Sequence, residues 1–137
     1  MYADRSYRIE TPVLELPMSD FECIDLNDVD DVSVVKFKDD KVVDPARIEE
    51  MGNELLSLAT SDDHEKILIN FENVTFFSSA AINKLIVLEK RVRAQGGGLK
   101  LSDLRPEVRD LFSFTNLDAL FSIADGQDDA IEQFGAQ

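Results

Sequence analysis

Two adjacent hydroxyl side chains, Ser78 and Ser79, are the groups in this chain best placed to do chemistry. They stand in the segment VTFFSSAA, where an apolar stretch passes into a run with helical spacing. Serine is a favoured N-cap residue, and that alone accounts for a serine at this point. Serine is also a phosphoacceptor, and the N-terminus of a helix favours an added anion. The sequence leaves both interpretations open.

Residue types that usually carry catalysis are scarce. His64 is the single histidine and lies in the polar segment SDDHEK, and Cys23 is the single cysteine and falls in a predicted strand. A Ser-His-Asp triad would have to use His64 in this polar segment. The sequence has neither a nucleophile elbow, G-x-S-x-G, nor the clustered Cys and His ligands of a zinc site. The acidic runs lack the calcium-loop pattern. A phosphate-binding loop precedes a helix, whereas Gly96, Gly97 and Gly98 precede a predicted strand. We predict no enzyme activity, no metal site and no cofactor.

The charge balance excludes further classes. The chain has 137 residues, with 14 Lys and Arg against 28 Asp and Glu, and a formal net charge of −14. Such a surface repels nucleic acid and anionic membranes. No run approaches the ~20 apolar residues of a membrane span, residues 1–20 lack the apolar stretch of a secretory signal, and a lone cysteine fits a reducing compartment. We expect a cytoplasmic domain that neither binds nucleic acid nor inserts into a membrane.

Strand and helix patterns alternate along the chain. Residues 1–20 are interpreted as an N-terminal extension, and residues 21–137 as one domain. Two apolar runs at 22–26 and 32–37, separated by an Asp-rich link, predict a hairpin. Asp44 followed by Pro45 predicts a helix start. The later predicted elements are a central strand at 66–71, a helix at 79–94, a strand from 99, a helix from 106, a strand at 121–124 and a closing helix. This order predicts an α/β fold, a mixed sheet of about four to five strands packed against about four helices.

The helix after the two serines carries more apolar residues than one face needs. At about 100° per residue, one stripe forms the predicted core face; it consists of Ala81, Leu85, Leu88 and Val92. Ile82 and Ile86 lie to one side of this stripe, and Val87 lies on another. They either contact neighbouring elements within the domain or form an exposed patch for a partner. The sequence does not separate these alternatives.

From about Glu22 to Phe134 the chain resembles a STAS domain of the bacterial anti-sigma factor antagonist type. The resemblance rests on VTFFSSAAINKL, on RAQGGGLKL and on LRPEVRDLFSFTNLDALFSI, which follow one another in the family's order. It implies a non-enzymatic partner switch that binds an anti-sigma factor serine kinase. In that family the kinase ends the association by phosphorylating a loop serine, and a serine phosphatase restores it.

The resemblance also assigns residues. The family loop commonly reads Asp-Ser-Ser-Gly, so Ser79 takes the phosphoacceptor position and Ser78 the aspartate position, while Ala80 and Ala81 replace the second serine and the glycine. Ser79 is the expected phosphoacceptor, with Ser78 as the alternative. The expected partner surface comprises Asp44, Ser78, Ser79, Ala80, Ile82, Asn83 and Ile86. The alternative function is a STAS subunit of a lipid-handling transporter or a signalling scaffold, in which the serine is only a cap. The sequence leaves open whether the chain forms a homodimer.

Overall fold

Strands and helices alternate along the part of the chain that the structure, a computed structural model, describes: residues 21–60 and 65–135. The predicted extension at residues 1–20 and His64 lie outside the described residues. The elements are β1 (Ile24–Val29), β2 (Val32–Phe37), β3 (Lys41–Val42), α1 (Pro45–Ala59), β4 (Lys66–Asn70), β5 (Phe76–Phe77), α2 (Ser79–Ala94), β6 (Gly98–Ser102), α3 (Pro106–Phe114), a 3-10 turn (Leu117–Ala119), β7 (Ser122–Ala124) and α4 (Gln127–Gly135).

The main sheet has five strands in the order β1-β2-β4-β6-β7. β1 and β2 form the predicted antiparallel hairpin, and the remaining neighbours pair in parallel. The boundary predicted for the first strand is wrong, because β1 extends to Val29 and takes in half of the Asp-rich link. Only Asp30 and Asp31 form the turn, with φ of 50° and 70°. Two consecutive positive φ angles are typical of the type I′ turn, whose twist matches that of a hairpin.

The central strand β4 is covered on both faces, as its continuous apolar sequence predicts. Ile67 and Ile69 face the larger core, which contains the buried faces of α1, α2 and α3. Leu68 faces a smaller core with Ala130 and Phe134 of α4. The domain is therefore a mixed sheet with three helices on one face and one on the other, which confirms the predicted α/β fold.

Glycines after α2 allow the chain to turn directly into β6. Gly96 has φ of +81°, a conformation that favours glycine. At Gly97 an added Cβ would lie 2.5 Å from the carbonyl oxygen of Glu65. The predicted glycine stop is confirmed: one glycine permits the turn, and the next allows two backbone segments to approach closely.

A second sheet, which the sequence patterns do not predict, lies beside the first. It consists of β3 and β5, paired in parallel over two residues each. No strand is predicted from the sequence in either segment, because each strand has only two residues. This short pairing matters because each of its strands leads directly into a helix.

Candidate functional site

The β3–β5 pair brings the start of α1 and the start of α2 to the same end of the domain. The amide of Thr75 donates to the carbonyl of Asp40 at 2.8 Å, and the amide of Ser78 donates to the carbonyl of Val42 at 3.1 Å. Two residues after Val42 the chain reaches the N-cap of α1, Asp44. Main-chain hydrogen bonds therefore fix the spacing between two helix N-termini.

The two serines differ in what their hydroxyl groups do. Ser78 is half-buried and is the N-cap of α2, where its Oγ accepts a hydrogen bond from the Ala81 amide at 3.3 Å. Ser79 is the first residue of the helix, and its side chain is exposed. Its hydroxyl forms no hydrogen bond with any residue that the structure describes. One hydroxyl thus serves the fold, and the other is accessible to a partner.

The start of α2 carries uncompensated positive potential. The first amides of a helix have no acceptor within it, and Ser78 satisfies only that of Ala81. The first turn contains no acidic residue, while Arg91 and Arg93 lie in the last turn. Because the dipole is positive at the N-terminus, the free amides of Ser79 and Ala80 favour an anion there.

The start of α1 already holds its anion. Asp44 is the N-cap, and its Oδ1 accepts a hydrogen bond from the amide of Ala46 at 3.4 Å. Pro45 occupies the first helical position, where it removes one amide that would lack an acceptor. Asp44 is exposed. This predicted contact residue thus lies at the same end of the domain as Ser79.

The structure separates the apolar residues of α2 that the sequence leaves ambiguous. The predicted core stripe, Ala81, Leu85, Leu88 and Val92, is buried. Ile82 is only 6% exposed and belongs to the core, and Ile86 is partly buried against it. Asn83 and Ala80 are exposed. The accessible part of the predicted partner surface is therefore Asp44, Ser79, Ala80 and Asn83, with lesser contributions from Ser78 and Ile86.

A groove that the sequence does not reveal runs beside the serines, between the start of α2 and helix α3. Its volume is about 370 Å³. Phe76 lies on its rim and is 55% exposed, which is unusual for a phenylalanine in a packed domain. The residues that line the groove are Thr75, Phe76, Phe77, Ser78, Ser79, Glu107, Val108 and Leu111. We call this the Phe76 groove.

Groups with shifted pKa values lie at the other side of α1. Burial, helped by the nearby Glu54 carboxylate, raises the pKa of the Cys23 thiol to about 11, so the thiol is protonated and poorly reactive at neutral pH. A hydrogen bond to Asp39 raises the pKa of Arg47, and the Nε–Oδ2 distance is 3.0 Å. These contacts attach α1 to β1 and to the residues before β3, and they support the fold.

Metal and membrane sites find no support in the described structure. Within residues 21–60 and 65–135, no three His, Cys, Asp or Glu side chains are grouped so that they could hold a metal ion. Over the same residues, no helix has the length and apolar character needed to cross a bilayer.

Comparison with known proteins identifies a shared domain. Residues 24–130 match the STAS domain family. BtrV of Bordetella bronchiseptica, provisionally named an anti-sigma factor antagonist, is 25% identical over 93 residues, which cover 68% of this chain and 79% of that protein.

Two solved structures share the fold. The phosphorylated form of the Bacillus cell-fate determinant SpoIIAA has a TM-score of 0.62 and 20% identity, covering 81% of this chain and 98% of that chain. The murine anion transporter Slc26a9 has a TM-score of 0.68 and 14% identity, covering 81% of this chain and 19% of that chain. At these identities the similarity establishes the fold alone, which antagonists and transporters share.

Proposed function

The chain belongs to the STAS domain family, and we propose that it acts as an anti-sigma factor antagonist that binds an anti-sigma factor serine kinase and is released when Ser79 is phosphorylated. It is related to the antagonists of this family, which are non-enzymatic, and is itself a non-enzymatic domain. By this proposal, residues 21–137 form the binding domain, residues 1–20 are an extension, and the protein works in the cytoplasm with its kinase.

The difference between the two serine hydroxyls carries the proposal. The Ser78 hydroxyl is engaged as the helix cap, whereas that of Ser79 is exposed at the first position of α2. A kinase therefore reaches Ser79 without unfolding the helix start. Phosphorylation of Ser78 would instead attach a bulky anion to the oxygen that caps the helix and crowd a half-buried position. This contrast favours Ser79 over Ser78 as the acceptor.

The switch itself follows from charge. Transfer of the γ-phosphoryl group from ATP to Ser79 Oγ releases ADP and the hydroxyl proton, and it adds about −1.5 to −2 charges. The free amides and the helix dipole tolerate this anion, so the domain stays folded. A partner that covers Ser79 must, however, strip water from the phosphate, which costs more than desolvating a hydroxyl. Binding weakens until a serine phosphatase hydrolyses the phosphate with water.

The direct test is phosphorylation of the purified chain by its cognate anti-sigma kinase and ATP. We expect one added phosphate by intact mass, located on Ser79 by peptide mapping, and none in Ser79→Ala. The matched control Ser78→Ala should still accept the phosphate, although its α2 is less stable. A phosphate on Ser78, or none with a kinase that is active on another substrate, would contradict the assignment.

A second function is favoured by one observation, the composition of the loop. Ser78 stands at the position of the family's aspartate, and Ala81, fully buried, stands at that of its glycine. A STAS module of a lipid-handling transporter or of a signalling scaffold needs the fold but no phosphoacceptor. In that case Ser79→Ala and Ser79→Asp should bind the native partner as the parent does, and that partner should be a transporter component or scaffold rather than a kinase.

A further inference from the structure

The groove beside Ser79 has a fixed shape, because β5 and α3, the elements on its two sides, both pack against the ring of Phe71. Phe77 forms part of the floor, and its ring centroid lies 5.3 Å from that of Phe71. Phe112 of α3 contacts Phe71 as well, at 6.2 Å between centroids. Phe71, Phe77 and Phe112 are all fully buried. The groove is therefore present before any partner arrives, and binding there requires little reorganisation.

The described residues that line the groove combine apolar side chains with the hydroxyls of Thr75, Ser78 and Ser79 and one charge. Val108, buried, completes the floor, and the partly buried Leu111 and the exposed Phe76 form the sides. Glu107 carries this charge. It is exposed and forms no ion pair with any residue that the structure describes. Such a lining is complementary to an apolar side chain with a cation next to it.

The serines on the rim identify the occupant. Ser78 and Ser79 line the same groove as Phe76 and Leu111, so a protein that reaches the Ser79 hydroxyl also covers the groove. Its volume of about 370 Å³ lies at the low end of the range for small-molecule sites. This volume has room for a large side chain, and the position of the groove beside Ser79 favours a side chain of the protein that acts on Ser79.

We propose that the Phe76 groove receives an apolar side chain of the anti-sigma kinase, and that Glu107 pairs with a basic residue beside that side chain. This inference rests on the proposed function and extends the docking surface from α2 across to α3. A filled groove also explains how phosphorylation weakens binding. A phosphate on Ser79 adds a hydrated charge at the rim of the groove, and a side chain that fills the groove must displace water there.

The test is the affinity of the purified cognate kinase for variants of the unphosphorylated chain, measured by calorimetry with ADP bound. Phe76→Ala and Leu111→Ala should each raise Kd about 10-fold or more, as expected for truncation at a buried anchor. Val87→Ala is the matched control: Val87 is 45% exposed on the outer side of α2, and its Kd should stay within about 2-fold of the parent value. Thermal unfolding of each variant checks that it folds.

Charge reversal tests the second part of the proposal. Glu107→Lys should raise Kd more than Glu107→Gln, and the difference should shrink as salt is added, because exposed charges are screened. Equal Kd values for the two Glu107 variants would overturn the ion pair.

The outcomes separate this inference from the proposed function. If the parent binds the kinase and is phosphorylated on Ser79, but Phe76→Ala and Leu111→Ala bind equally well, the groove proposal alone fails. If the parent neither binds nor is phosphorylated, both proposals fail. If Phe76→Ala instead dissociates a homodimer in sedimentation and leaves Kd for the kinase unchanged, the groove belongs to a second copy of this chain.

Discussion

The starts of α1 and α2 lie side by side, yet the N-terminus of α1 is capped by a carboxylate and that of α2 has no anion among the residues that the structure describes. The cap of α1 is a carboxylate, Asp44, followed by a proline that lacks an amide hydrogen. The cap of α2 is an uncharged hydroxyl, followed by a second hydroxyl that is exposed. The same local geometry therefore holds a permanent anion at one helix and has room for a removable anion at the other.

The surroundings of the two helix starts reinforce this contrast. Side chains attach α1 to the residues that precede β1 and β3. Glu54 accepts hydrogen bonds from the amides of Glu22 and Cys23 at 2.9 and 3.0 Å, and Arg47 in the first turn of α1 binds Asp39. The start of α2 instead borders a groove with an exposed phenylalanine. The side-chain contacts of α1 serve the fold, and the exposed groups at the start of α2 support the proposal that this end contacts a partner.

Removing the support beneath the start of α2 should have the largest effect. Phe77→Ala deletes a fully buried ring, and we expect the free energy of unfolding to fall by about 3–5 kcal/mol. Phe76→Ala, its exposed neighbour, is the control and should change stability by less than about 0.5 kcal/mol. Urea denaturation measures both. Similar losses from the two variants would mean that Phe76 is buried as well, and the groove would not exist as described.

Truncating either helix cap should lower the free energy of unfolding moderately, and the two losses should depend differently on salt. Asp44→Ala and Ser78→Ala should each lower the free energy of unfolding by about 1 kcal/mol. The loss from Asp44→Ala should diminish with added salt, since the carboxylate also interacts with the helix dipole, whereas that from Ser78→Ala should not. Urea denaturation at low and high salt compares the two. An identical salt response would remove the electrostatic contrast between the two helix starts.

Adding an anion to a helix start should change the free energy of unfolding less than truncating a cap, and it should stabilise α2 more than α1. Ser79→Asp should raise the free energy of unfolding by about 0.3–1 kcal/mol at low ionic strength, because it fills uncompensated potential. Ala46→Asp, exposed in the first turn of α1, adds a second anion next to Asp44 and should gain less. Chemical denaturation with Ser79→Asn as the uncharged control isolates the charge. An equal gain at both helices would contradict the idea that α1 already holds its anion.

A separate effect, confined to alkaline pH, concerns the buried thiol on the α1 side. The pKa of Cys23 is raised from 9.0 to about 11 in the folded chain. The folded state therefore holds the thiol proton more tightly than the unfolded state, and the stability that this provides is lost as pH rises from about 9 to 11. Comparing the pH dependence of unfolding of the parent with that of Cys23→Ala isolates this contribution. Parallel curves would show that the thiol titrates normally.

Most of the fold can be predicted from local sequence patterns, and the elements that could not be predicted share one cause. Asp44, Ser78, Pro106 and the glycines after α2 each act within a few residues, so they predict helix ends correctly. β3 and β5 contain two residues each and have no periodicity; they exist because a distant segment pairs with them.

The candidate site divides in the same way. The serines are visible because N-caps have a local signature. Sequence spacing also predicts that Ala81 and Leu85 are buried. It does not reveal that Ile82 is covered, which depends on how distant elements pack around α2. Nor does it reveal that Phe76 shares a groove with the α3 residues Glu107 and Leu111, which depends on where α3 packs.

The hydrogen bond from Ser78 to the carbonyl of Val42 uses main-chain atoms alone. The hydrogen bond itself therefore makes no demand on the side chain at position 78, whereas Val42 is also held by its burial in the core. The side chains of the loop can therefore change while these main-chain contacts keep the two helix starts at the same spacing. If the loop contacts a partner as proposed, a change of partner specificity needs new loop side chains but no new fold.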